Sequence, residues 1–245
     1  MFKTALAIRE RLAKDNPQAY EPDLADSYNN LANLYSDTQR FEECEAMYKS
    51  ALAIRERLVK DNPQVYEPDL AVSYNDLAIL YSDTQRFEEC EAMFKTALAI
   101  RERLAKDNPQ VYEPDLAGSY YNLAILYYTI ERFKESEAMY QSAIAIRKRL
   151  AKDNPHVYEP ILADSYNNLA VLYSDTQRFA ESEAMHKSAL AIRERLAKDN
   201  PQAYEPDLAD SYNNLAILYR DTQRFAESEE MYNAAVAIRE RLGIE

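Results

Sequence analysis

The side chains best suited to bond-making chemistry in this chain are Cys44, Cys90, His156 and His186, set among 42 aspartates and glutamates. Nucleophilic or metal chemistry needs such groups to converge, at spacings such as CxxC or two ligands one helical turn apart. Neither pattern occurs, and no glycine-rich segment could cradle a phosphate. Each group instead replaces an unreactive residue at a repeated position. Cys44 and Cys90 stand where later units have Ser136, Ser182 and Ser228, which marks a slot for a small side chain between two helices. His186 shares a column with Tyr48, Phe94, Tyr140 and Tyr232, as an aromatic substitute at the edge of the core, and His156 replaces a linker glutamine. The carboxylates recur as caps and solvated faces rather than as acid–base pairs. The chain reads as a non-enzyme, with no catalytic residue, metal ligand or cofactor.

Recognition by hydrogen bonds and apolar contact is better supplied. Asparagines recur as Asn29/Asn30, Asn75, Asn122, Asn167/Asn168 and Asn213/Asn214. An amide donates and accepts at once, which suits the backbone of an extended peptide. It equally suits a bond to a neighbouring helix, or to water.

The elements that must position these groups follow from the punctuation. Fifteen residues precede five units of 46, which begin at Asn16, Asn62, Asn108, Asn154 and Asn200. All ten prolines fall in register, and Met1 matches Met47, Met93, Met139, Met185 and Met231, so the chain opens inside a unit. In the first full unit Leu24, Tyr28, Leu31, Ala32 and Tyr35 share one face of a helix A. Pro22 and Asp23 suit its first turn. Asp37 to Arg40 form a tight connection, and helix B runs from about Phe41 to Lys60, with Met47, Tyr48, Ala51, Ile54 and Leu58 on its apolar face. Asp61-Asn62-Pro63 stops it, because a residue before proline avoids the α region. Gln64 to Glu67 then form a short link or one further helical turn.

A lone hairpin has too little core, so neighbours must stack. The expected fold is an all-α solenoid of antiparallel helix hairpins forming one repeat domain over residues 1–245. It comprises a leading helix B in 1–15 and units 16–61, 62–107, 108–153, 154–199 and 200–245, eleven helices in all. Two glycines, against roughly 17 in an average chain of this length, exclude turn-rich all-β architecture. A net charge of −13 argues against nucleic acid as a partner. No apolar run approaches the ~20 residues of a membrane span, and charge interrupts the opening segment too early for a signal peptide. With no disulfide required, a cytoplasmic location is expected.

The pattern Tyr28-x2-Leu31-Ala32-x2-Tyr35 recurs at Tyr74/Leu77/Ala78/Tyr81, Tyr120/Leu123/Ala124/Tyr127, Tyr166/Leu169/Ala170/Tyr173 and Tyr212/Leu215/Ala216/Tyr219. It resembles the tetratricopeptide repeat, as does Cys44-x3-Tyr48 with Ala51 following. Tyr replaces the usual Trp and Ala the usual Gly, and no proline closes helix B where the shorter form has one. The length, the Asn-Asn-Leu-Ala of residues 29–32 and the Ala-Ile-Arg-Glu-Arg-Leu ending are closer to the elongated repeats of kinesin light chains and to bacterial arrays. The resemblance implies a right-handed superhelix that binds a peptide or protein along a concave face lined by the A helices, without catalysis.

In that stacking the groove is lined by residues 26, 29, 30, 33, 36 and 37 and their equivalents. Asp26, Asp37, Asp76, Asp83, Asp164, Asp175, Asp210 and Asp221 face it against Arg220 alone. A basic or amphipathic ligand is expected, and a clamp for a C-terminal carboxylate is not. The third unit departs from the pattern. Tyr121 and Tyr128 lie outside the five tyrosine columns, i and i+7 apart with Ile125 between them. Gly118 occupies the slot of Asp26, Val72, Asp164 and Asp210. The candidate groove residues are therefore Asn29, Asn30, Asn75, Asp76, Gly118, Tyr121, Asn122, Ile125, Tyr128, Asn167, Asn168, Asn213 and Asn214. The aliphatic column Ile79, Ile125, Val171 and Ile217 either extends this patch or packs between A helices. Neither terminus carries a polar cap: Phe2, Leu6 and Ile8 at one end, and Val236, Ile238 and Leu242 at the other, lack a covering helix. Two explanations follow, a fragment of a longer array and end-to-end or swapped association as a self-associating structural array; the resemblance to bacterial arrays adds the sensor or interaction region of a larger signalling protein.

Overall fold

The computed structural model describes residues 2–243, with side chains described from Thr4 onward. The register match of Met1 and the side chain of Phe2 lie outside the described residues. Eleven α-helices and no strand occur among them. The B helices are α1 (Phe2–Asp15), α3 (Phe41–Asp61), α5 (Phe87–Asp107), α7 (Phe133–Asp153), α9 (Phe179–Asp199) and α11 (Phe225–Leu242). The A helices are α2 (Pro17–Asp37), α4 (Pro63–Asp83), α6 (Pro109–Thr129), α8 (Pro155–Asp175) and α10 (Pro201–Asp221).

The A helices start five residues earlier than Pro22 and its equivalents suggest. Asn16 caps α2 by accepting from the Ala19 amide at 3.4 Å, and Asn200 caps α10 by accepting from Ala203 at 3.3 Å. The proline that follows each of these caps opens its helix with φ already set and no hydrogen bond to lose. The second proline is then inside the helix, where it removes one amide donor without breaking the element. Gln64 to Glu67 are thus helical, and a single asparagine joins α3 to α4.

The A-to-B turn is the tight connection expected, built in an unexpected way. Gln39, Gln85, Glu131, Gln177 and Gln223 take φ of 56° to 61°, a left-handed conformation usually filled by glycine. The next amide bonds back over the turn, Arg40 to the Tyr35 carbonyl at 2.8 Å and Arg178 to Tyr173 at 2.7 Å. That same arginine lies over the tyrosine ring, 4.2 Å from the centroid in both pairs. In the later turns it also reaches a glutamate of the preceding B helix, Arg178 to Glu137 and Arg224 to Glu183, each at 2.6 Å. Ring, cation and carboxylate hold the left-handed turn in place.

The chain divides into two compact units, residues 1–126 and 127–245, with the division inside α6. In the first, α1 packs on α2, α2 on α3, α3 on α4 and α4 on α5. In the second, consecutive helices from α7 to α11 pack in the same way. The alanines and the small slots sit where helices approach: Ala32, Ala51, Ala78, Ala97, Cys44, Cys90, Ser136 and Ser182 are all fully buried. Burial pushes the Cys44 thiol up to about 11 and the Cys90 thiol to about 12, which leaves both inert at neutral pH. His186 lies in the core, as buried as Tyr48 and Phe94, rather than at its edge. In the last B helix the same column surfaces, and Tyr232 is 53% exposed.

Candidate functional site

In the first unit the predicted asparagines form rungs between successive A helices. Asn29 Nδ2 donates to Asp76 Oδ2 at 3.2 Å, and Asn122 Nδ2 donates to Asn75 Oδ1 at 3.0 Å. Each rung joins residues 47 apart, one unit plus one position. The alternative of bonds to neighbouring helices is therefore realised for these four residues. The Asn29 Oδ1 is buried without a hydrogen-bond partner, and Asn30 beside it is exposed. Burial pushes the Asp76 carboxyl above the usual carboxylate range, partly offset by the amides of Asn29 and Asn75. Gly118 and Tyr121 are half-buried, and no heavy atom lies within 4 Å of where a side chain at Gly118 would begin. Ile79 and Ile125 expose 43% and 39% of their surface, so this column does not pack away between A helices.

In the second unit Asn214 Nδ2 donates to Asn167 Oδ1 at 2.8 Å, the same rung again. Asn168 and Asn213 are half-buried, as is Val171, whereas Ile217 is 40% exposed. Tyr128 donates its hydroxyl to Asp175 in a short hydrogen bond. That bond, with burial, raises its phenol to about 12. The Tyr128 ring lies 6.0 Å from that of Phe133 at 58°, a tilted aromatic pair.

The acidic face is less bare of cations than the A helices alone suggest. The first arginine of each Ile-Arg-x-Arg segment folds back through the B helix toward it. Arg55 Nη2 reaches Asp26 at 2.7 Å, Arg193 Nη2 reaches Asp164 at 2.6 Å and Arg239 Nη2 reaches Asp210 at 3.0 Å. Arg220, the predicted lone cation, pairs with its neighbour Asp221 at 3.3 Å. Sequence reasoning treated helix B as a packing element, so it missed these arginines. Their strict recurrence at 46-residue spacing, 18 residues before a recurring serine, was the available signal.

Among the described residues no group of three or more His, Cys, Asp or Glu could hold a metal ion, and no helix is long and apolar enough to cross a membrane. Two open clefts, of about 570 and 540 Å³, are lined by turn and helix-end residues such as Arg132, Phe133 and Arg178, or Lys14, Tyr28 and Arg57. None of the predicted groove residues lines either.

A tetratricopeptide repeat family model matches residues 23–103, 69–149 and 161–241. The chain belongs to the tetratricopeptide repeat family. Such arrays are in general protein-interaction scaffolds and typically not enzymes. Among solved structures it is similar to BtubC (BKLC) from P. vanneervenii, at 27% identity and a TM-score of 0.79 over 99% of this chain and 89% of that one. A putative kinesin light chain from Podosopora anserina, with nearly identical TPR-like repeats, superposes at a TM-score of 0.71 and 19% identity, over 90% and 97% of the two chains. YrrB, described as a TPR protein with an unusual peptide-binding site, gives 0.55 at 17% identity, over 94% and 92%. No curated protein matches the chain. The likenesses establish the all-α solenoid fold of this tetratricopeptide protein.

Proposed function

We propose that this tetratricopeptide protein binds an amphipathic peptide segment along the A-helix face, with its apolar side against the third full unit. The observation that carries the reading is the open surface of α6 and its neighbour α4. Ile79 and Ile125 are some 40% exposed there, Tyr121 is half-buried, and the space over Gly118 is empty. Aromatic and aliphatic side chains left accessible beside polar rungs are the usual anchors of an interface. Asn30, exposed beside the Asn29–Asp76 rung, is the amide best suited to meet a peptide backbone there. A peptide-binding TPR protein among the structural neighbours supports the class of ligand.

The preference for a basic ligand is weaker than counting aspartates suggests, because Asp26, Asp164 and Asp210 are already paired. Asp37 and Asp83 in the first unit, both exposed, remain as the acidic surface a basic flank would meet. The test is a titration of the wild type and of Tyr121→Ala with Lys-rich amphipathic peptides and their Glu-rich counterparts at two salt concentrations. Binding lost in Tyr121→Ala with an unchanged melting temperature supports the reading. A large fall in melting temperature would mark Tyr121 as core and sink it.

A second reading, self-association, has one specific observation in its favour. Phe225 and Tyr232 on α11 are 65% and 53% exposed, whereas Tyr48, Phe94, Tyr140 and His186 in the latter column are buried. Light scattering across a concentration series tests it: a defined dimer or longer oligomer that Tyr232→Ser dissolves would support it, and a constant monomer mass would refute it.

A further inference from the structure

The arginine column that neutralises the acidic face has an irregular member in the first unit. In the complete arrangement one guanidinium does two jobs. Arg55 Nη1 donates to Ser73 Oγ at 2.6 Å and to the Asp69 carbonyl at 3.3 Å, while Nη2 holds Asp26. Arg193 repeats this with Ser211 at 2.8 Å, the Asp207 carbonyl at 3.3 Å and Asp164. Arg101 keeps the first job, with Ser119 Oγ at 2.7 Å and the Asp115 carbonyl at 3.4 Å. Its second partner is gone, because the slot of Asp26 and Asp164 is held by Val72. No carboxylate within 4 Å takes its place among the described residues.

Arg101 is nonetheless a core residue, only 8% exposed, and so has lost most of its water. Burial pulls its guanidinium below the usual arginine range, against the attraction of Asp115 and Asp76. Asp76 lies one turn further along α4 but is bonded to Asn29 instead. An arginine fork that is fixed by a serine and a carbonyl, desolvated and lacking its carboxylate, is pre-organised for one supplied from outside. In the equivalents Arg55 and Arg193, Nη2 is the group that reaches the A-helix face, where the Asp26 and Asp164 side chains are 60% and 48% exposed.

We propose that Arg101 is an open carboxylate subsite on the A-helix face, taking an aspartate or glutamate side chain of the bound peptide. The subsite rests on the groove reading given above and adds a polarity to it. The ligand presents an acidic residue toward Val72, and its basic residues lie elsewhere.

The test uses two pentapeptides, acetyl-KLELK-amide and acetyl-KLQLK-amide, titrated by isotope-edited NMR. The glutamine peptide lacks the one negative charge and so has a net charge higher by one unit, and an acidic face acting alone favours it. The Arg101 subsite favours the glutamate peptide, by about five-fold or more, as expected of a charge-assisted pair in a desolvated setting. Val72→Asp restores the internal partner and should cancel or reverse that preference without loss of fold. Asp26→Val should open the same subsite at Arg55 and add to it. Equal binding, or stronger binding of the glutamine peptide by the wild type, would overturn the proposal. If neither peptide binds, the groove reading fails, and acetate decides the subsite by itself. A saturable shift of the Arg101 side-chain signal in the wild type, absent from Val72→Asp, supports it; identical behaviour of the two proteins, or a uniform shift of all arginines, refutes it.

Discussion

Replacing His186 by phenylalanine should remove about 2 kcal/mol of the protein's loss of stability between pH 7.5 and 5. His186 is 4% exposed, its Nδ1 is buried without a hydrogen-bond partner, and burial, with Arg193 nearby, pushes its pKa down from 6.5 to about 4. A group whose folded pKa lies below its unfolded value contributes stability above the unfolded pKa and loses it as pH falls through the window. Here the window runs from about 6.5 down to about 4. Linkage over the full window gives at most about 3.4 kcal/mol, from 2.5 units at 1.36 kcal/mol each, and about 2 kcal/mol of it is already lost at pH 5. Phenylalanine occupies the same column at Phe94, 4% exposed, so the substitution fits the slot. Urea unfolding of both proteins at pH 7.5 and 5.0, followed by circular dichroism, yields the double difference. The carboxylates titrate alike in both proteins and cancel. A double difference near zero would refute the reasoning, since it would mean that His186 is solvated or protonated in the folded state.

Three further outcomes are expected. Gly118→Ala should raise stability by about 1 kcal/mol, since a helical glycine gains a favourable side chain into empty space; an unchanged melting temperature would count against it. Gln177→Gly should stabilise the second unit by about 0.5–1 kcal/mol, because relief of the left-handed strain at φ 59° exceeds the added chain entropy. Thermal unfolding reads it, and a loss of stability would show that the glutamine side chain matters more than its backbone. Glu183, held down to about 2 by its hydrogen bonds to Arg224 against the opposing effect of burial, contributes stability above pH 4.5 that disappears as pH falls toward 2. After discounting for solvent screening this amounts to about 1–2 kcal/mol. Glu183→Gln should therefore lower stability at pH 7 and flatten the acid limb, and parallel acid-unfolding curves would contradict the assignment.

The sequence by itself determined everything that depends on local preference repeated five times. Hydrophobic spacing gave the two helices of each hairpin, and the Cys/Ser column gave the slot where helices approach most closely. The same logic failed at two local points. Pro22 looked like a helix start because proline is tolerated there, yet the asparagine cap and Pro17 form a better one upstream, and one lost hydrogen bond does not break a helix held by packing. Nothing marked the left-handed turn, because glutamine stands where glycine is expected, and the conformation is held by the Tyr–Arg–Glu contact instead. The bonding of the A-helix asparagines was legible only in part. Asn29, Asn75, Asn122, Asn167 and Asn214 recur in register, but their rungs join residues 47 apart, an offset set by how one helix stacks on the next. The arginines were missed for the same reason. A long side chain acts where its tip arrives, and that was decided by the approach of B and A helices, which a period along the chain does not encode.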